Sequence, residues 1–162
     1  MTKTKKLLAV VVIAVAGYAV WNLRSNEQAV AKAEANLVFD RIWIDHMPED
    51  EKDMINIFAA LTEQPIGIFQ AMSAWKGNHE LFEHESHGNE IRIVYGQTGE
   101  REQVKAVGTK CEPDNGMDFC LEIEGASRGV KRYYSLEGWE LDGAASADDI
   151  RVRLRALVKA AK

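Results

Sequence analysis

"EIRIVYG", residues 90–96, decides the fold. Successive side chains of an extended strand point to opposite faces. Ile91, Ile93 and Tyr95 therefore share one side, and Glu90 and Arg92 the other. "DFCLEIEG", residues 118–125, repeats the pattern, with Phe119, Leu121 and Ile123 set against Cys120, Glu122 and Glu124. One dry and one wet face per strand is the mark of an antiparallel sheet solvated on one side.

Working outward, the alternation runs from Ile66 onward and predicts strands at about 66–75, 78–86, 90–96, 102–111, 118–125, 129–136 and 138–142. The turn signals "KGN", "HGN", "GQTG", "EPDNGMD", "ASRG" and "EG" separate them. Short strands at such spacing predict a mainly β (α+β) domain, an antiparallel meander that forms a small barrel or a curved sheet. Upstream, "LVFDRIWID" (37–45) is β-branched and aromatic and predicts a further strand.

Between these lies "HMPEDEKDMINIFAALTEQ", residues 46–64. Its acids Glu49, Asp50 and Glu51 suit a first helical turn, where the dipole favours negative charge. Met54, Ile57, Phe58 and Leu61 then fall on one helical face, with Pro48 and Pro65 as boundaries. One internal helix is expected here. A C-terminal helix is expected over "SADDIRVRLRALVKAAK" (146–162). Ser146 is its N-cap, with Asp149 three residues on. Ile150, Leu154, Leu157, Val158 and Ala161 form its apolar stripe, and Arg151, Arg153 and Arg155 lie on its outer face.

The N-terminus carries Lys3, Lys5 and Lys6 before the apolar run Leu7 to Trp21. This is the order of an export signal, and the lysines are expected to stay cytoplasmic. The nearest small-residue cleavage sites, Ala29-Val30-Ala31 and Ala31-Lys32-Ala33, lie well past Trp21, which favours a retained anchor over a removed signal peptide. The expected organisation is a signal anchor or signal peptide at 1–23, a helical stalk or linker at 24–36 and an extracytoplasmic domain at 37–162.

Export places Cys111 and Cys120 in an oxidising compartment. They flank a turn, and a register that opposes them directly puts Lys110 opposite Leu121 and Thr109 opposite Glu122. A disulfide is expected. "GNHELFEHESHG", residues 77–88, holds His79, His84 and His87 and nearly spells the zinc-protease H-E-x-x-H. Its second histidine comes one residue late. On a strand, parity sets His84 on the face opposite His79 and His87. The segment is expected to be solvated and to hold no metal.

The formal net charge of −5 lacks the basic footprint of a nucleic-acid binder. No G-x-S-x-G elbow or phosphate-binding glycine loop is present, and nothing in the chain calls for a cofactor. Ser127 reads as part of a hairpin turn. Trp75, Tyr95, Arg132 and Tyr134 are the candidate ligand-binding residues, with Arg132 also placed to pair with Glu122 or Glu124. A meander with a C-terminal helix resembles lipocalin-type barrels in architecture, although the early G-x-W signature is replaced by the reverse order, Trp75-Lys76-Gly77.

Three functions remain. The first is a non-enzymatic interaction module of the cell envelope, held to the membrane through its N-terminal helix and meeting a protein partner. The second is a lipocalin-like barrel for a small apolar or anionic ligand. The third is an envelope hydrolase. An enclosed apolar cavity favours the second, a solid core with an exposed apolar patch favours the first, and a concave cluster of His and Glu with perturbed pKa values favours the third.

Overall fold

The computed structural model describes residues 37–73, 75–112 and 116–143, together with Ser146, Asp149, Val152, Arg153 and Ala156. The chain divides into two compact units, Met1–Ala33 and Glu34–Lys162. The expected anchor and stalk lie outside the described residues. Among the described residues no helix is long and apolar enough to cross a membrane.

The second unit is a closed antiparallel barrel of eight strands in sequence order. They are β1 (Trp43–Ile44), β2 (Ile55–Ala60), β3 (Ile66–Met72), β4 (Gly77–His87), β5 (Glu90–Tyr95), β6 (Arg101–Lys110), β7 (Phe119–Glu124) and β8 (Arg132–Ser135). The seam between β1 and β8 is short, with Ile44 opposite Tyr134. The segment after β8 extends it. Ile42 N donates to Trp139 O and Leu141 N to Asp40 O, around a bridge between Arg41 and Glu140. The strand expected at 138–142 is thus a brace along the seam. The strand expected over 37–45 shrinks to two residues, because Leu37 and Val38 form a helical turn and Asp40 adopts a positive φ of 53°.

The internal helix expected over 46–64 is overturned. Ile55–Ala60 is strand β2, paired along its length with β3. The helical pattern arose because both faces of β2 are dry. Phe58 and Ala60 enter the barrel interior, while Ile55, Ile57, Ala59 and Leu61 join a second apolar cluster with Ile42, Ile44, Ile68, Met72 and Leu141. A strand buried on both sides loses its period-two signature, and tertiary pairing then overrides local preference. The acids 49–53 shape a loop instead: Asp50 Oδ1 accepts from the amides of Lys52 and Asp53.

Eight strands enclose a space that side chains alone can fill. Here Phe58, Phe69, Phe82, Tyr95 and Tyr133 form a contiguous ring network, with centroids 5.1–6.5 Å apart along its pairs. Ile91, Ile93, Val104, Ala106, Leu121, Ile123 and Trp43 complete the core. Gly67 permits this packing, since a Cβ there would sit 2.2 Å from the Phe82 ring.

The expected capping of the C-terminal helix is present. Asp149 N donates to Ser146 Oγ at 3.2 Å, and Ser146 N to Asp149 Oδ2 at 2.9 Å. Its apolar stripe lies outside the described residues.

Candidate functional site: two closed ends and an exposed rim

An up-and-down barrel has two ends, and its connections alternate between them. The loops after β2, β4 and β6 share one end with the incoming chain at Leu37. The loops after β1, β3, β5 and β7 form the other, called the rim below. Each end is stoppered by an arginine lying on an aromatic ring.

At the first end, the Arg41 guanidinium lies 4.0 Å from the Phe119 ring centroid. Its side chain is 7% exposed. It donates to Leu136 O at 2.9 Å and to Ser135 Oγ at 3.4 Å, and it pairs with Glu140. A buried cation needs such partners, because desolvation otherwise outweighs what packing returns.

At the rim, the loop from Gly125 to Lys131 folds across the mouth. Arg128 lies 4.7 Å from the Tyr95 ring centroid, donates from Nε to Glu80 at 2.7 Å and pairs with Glu100. Ser127 donates its amide and hydroxyl to Glu102. Tyr95 Oη donates to the same carboxylate at 2.8 Å. Val130 N donates to Tyr133 Oη at 2.9 Å. Gly129 closes the lid: its φ is +70°, and a Cβ would meet Tyr133 Oη at 2.0 Å and Phe69 at 2.8 Å.

The electrostatics fit a stopper. Burial would raise the Glu102 pKa, but bonds from Ser127 and Tyr95 and the nearby Arg128 hold it below the ordinary value. Burial, with donation to Glu102, pushes the Tyr95 hydroxyl well up, so it stays protonated. Burial likewise pushes the Tyr133 hydroxyl up to about 12. Ser127 donates a hydrogen bond from its hydroxyl to a carboxylate of lowered basicity and accepts one from Arg128 Nη1. That arrangement does not generate a nucleophile.

The four expected ligand-binding residues do not converge. Tyr95 is fully buried under Arg128. Arg132 and Tyr134 lie on the outer face of β8, where Arg132 pairs with Glu122, one of its two expected partners. Trp75 stands 77% exposed in the turn after β3. Missed by sequence reasoning were Arg128, Arg41, Glu80 and Glu102. Arg128 sits in a hairpin loop, and its target Tyr95 was read as an apolar-face residue and a ligand-binding candidate rather than as the platform for an arginine.

The histidines divide as parity requires, but His84 is not solvated. His79 and His87 are exposed, whereas His84 is 7% exposed inside the barrel. Its ring stacks on Phe39 at 5.2 Å, its Nε2 lies 3.0 Å from Leu61 O, and its Nδ1 is buried without a partner. The contact with a carbonyl fixes the proton on Nε2, and burial lowers the pKa. The remaining histidine, His46, lies between Asp45 (2.9 Å) and Asp53 (3.1 Å). Burial opposes its charge, but the two carboxylates prevail and raise the pKa.

Cys111 and Cys120 are bonded, with Cα atoms 5.1 Å apart. The expected register is off by two: Cys120 faces Thr109 and Phe119 faces Lys110. Cys111 lies just past the ladder, so the disulfide is diagonal. Comparison of the chain with protein-family models, curated proteins and solved structures finds no match.

Proposed function

We propose that this protein is a non-enzymatic interaction module held at the extracytoplasmic face of a membrane by its N-terminal segment. The observation that carries the reading is that the barrel is occupied by its own side chains while large apolar residues stand outside it. Five linked rings fill the interior, whereas Trp75, Met47 and Met54 are 77%, 47% and 43% exposed. Exposed apolar side chains mark interaction sites when they are grouped rather than scattered singly, and these three lie on two loops at the same end of the barrel. The lysines and apolar run of residues 3–21 support export and tethering. The Cys111–Cys120 disulfide supports an oxidising compartment.

A closed barrel is also compatible with a lipocalin-like carrier. That role requires the Arg128 stopper to open and the rings beneath to part, so the packed interior weighs against it. The acidic balance of the chain supports a protein partner over nucleic acid.

The test is photo-crosslinking in native membranes, with the photoreactive group placed in turn at Trp75 and at exposed barrel positions, followed by mass spectrometry. A reproducible protein adduct is expected. Recovery of a small apolar molecule from inside the barrel, with no protein adduct at any position, would replace this reading with the carrier.

A further inference from the structure

Trp75 is displayed by construction. Ser73 N donates to Lys76 O at 2.7 Å, and Ser73 Oγ accepts from the amides of Trp75 and Lys76 at 3.3 Å each. This tight turn puts the indole outward at its apex. Met54 directly precedes Ile55, which pairs with Met72, the residue before Ser73, so the β1–β2 and β3–β4 loops both leave the same end of the β2–β3 ladder. His46 Nε2 and Asp53 Oδ2, 3.1 Å apart, tie the two arms of the β1–β2 loop. Met47 and Met54 are the chain neighbours of that tie. Met47, Met54 and Trp75 therefore belong to two adjacent loops of one rim, whereas Leu81 and Val152 are exposed outside those loops.

The rim is also braced. Asp53 Oδ2 accepts from Glu49 N at 3.0 Å, and Asp45 accepts from the amide and side chain of Asn56 at 2.8 and 2.6 Å. A surface ordered beforehand loses little entropy on binding. Its charge has one sign in excess. Over its four loops Asp45, Glu49, Asp50, Glu51, Asp53 and Glu100 stand against Lys52, Lys76, Arg128 and Lys131, and the excess is concentrated in residues 45–54.

We infer that this rim docks a basic protein segment bearing apolar side chains, a deepening that rests on the interaction role proposed above. Opposite charge steers such a segment to the rim, and Trp75 with the methionines supplies the apolar anchor, tryptophan being a favoured hot-spot residue. Two other occupants fit less well. A second copy would set acidic rim against acidic rim. An anionic lipid surface would be repelled by the same excess of carboxylates.

The test uses the full chain in neutral detergent and two synthetic peptides of ~20 residues, one of Lys and Leu at helical spacing and one with Glu replacing Lys. Binding is read from the anisotropy of a fluorophore on the peptide, and the Trp75 environment from tryptophan emission, using Trp75→Phe to isolate its component, with anionic vesicles as a third probe. The Lys/Leu peptide should bind, shift the Trp75 emission to the blue and weaken with added salt. Joint Met47→Ser, Met54→Ser and Trp75→Ser substitution should weaken it about tenfold or more, the scale of 1.4 kcal/mol. Glu49→Lys with Glu51→Lys should do the same, while Glu83→Lys with Glu85→Lys on the outer face of β4 should leave it unchanged.

Equal binding of the Glu/Leu peptide, undiminished binding by the triple serine variant, equal weakening by the β4 variant, no peptide binding at all, or vesicle binding in its place would each overturn the assignment. The two proposals fail separately. If the triple serine variant still crosslinks its partner in native membranes from another face, the interaction role stands and the rim assignment falls.

Discussion

His84 should make this barrel lose stability as pH falls below neutral. Its Nε2–H bonds Leu61 O at 3.0 Å, its Nδ1 is buried without a partner, and its pKa is lowered by burial. The folded state therefore holds the neutral ring at pH values where an unfolded chain begins to protonate it near 6.5. Below that value the unfolded state binds more protons, and stability declines until the folded pKa is reached. One proton gives a slope of up to about 1.4 kcal/mol per pH unit.

His84→Gln removes the titration and keeps an amide donor for Leu61 O, but it gives up the stacking on Phe39. At pH 8 the variant should be less stable by ~1–2 kcal/mol, the scale of a lost ring contact and an imperfect fill. On acidification the gap should narrow, because only wild type carries the penalty. His46 has the opposite sign: its raised pKa contributes stability at low pH that is lost as pH rises through the folded value. It is common to both chains and cancels in the difference, as do the carboxylates. Urea unfolding of both proteins at pH 5, 6, 7 and 8, disulfide intact, gives the measurement. Parallel stability curves for the two would refute the reasoning, as would a folded-state His84 pKa at or above 6.5 by NMR titration.

Replacing Cys111 and Cys120 together by Ala should cost ~2–3 kcal/mol in denaturant titrations, the loop-entropy value for so short a closure, and should leave the circular dichroism spectrum of the barrel intact. Gly67→Ala should lower stability by ~1–3 kcal/mol, because its Cβ overlaps Phe82 and lies 2.8 Å from Ala59 O; an unchanged melting temperature would contradict the packing described. Arg128→Ala should release the lid without unfolding the barrel, seen as faster hydrogen exchange at the amides of Ser127 and Val130, with amides of β5 unaffected.

The strands β4 to β8 were legible because each has one wet face. "EIRIVYG" became β5 with Ile91, Ile93 and Tyr95 inside, as its alternation requires. β2 was not legible, since a segment dry on both sides shows apolar residues at every spacing and so satisfies a helical template too. His84 shows the limit of composition. Its parity identified the inner face, but its neighbours Glu83 and Glu85 made the stretch read as solvated. The disulfide was legible from two cysteines across a turn; its register was not, because the ladder ends at Lys110, one residue before Cys111. The stoppers were hidden for a different reason. Arg128 reaches partners 28 and 48 residues away, and nothing local to "ASRG" distinguishes such an arginine from one in water.

Those stoppers bear on where specificity resides. Arg41 and Arg128 come from different parts of the chain, yet each lies on a ring, Phe119 or Tyr95, and is neutralised by carboxylates gathered around it. An arginine so placed covers apolar surface with its flat face and keeps its donors at the edge, where water and carboxylates satisfy them. That makes it suited to sealing a barrel whose interior is aromatic. Sealing both ends removes the mouth as a selective portal. In the interaction role proposed above, discrimination would fall to the loops, and the loops of the two ends are not equivalent. Those at the Leu37 end are occupied with closure, through Asp40 bonding Thr62 and Leu141 and through Arg41 bonding Leu136. Those at the rim hold Met47, Met54 and Trp75 in water on braced turns, and that asymmetry is why the proposed docking is assigned to the rim.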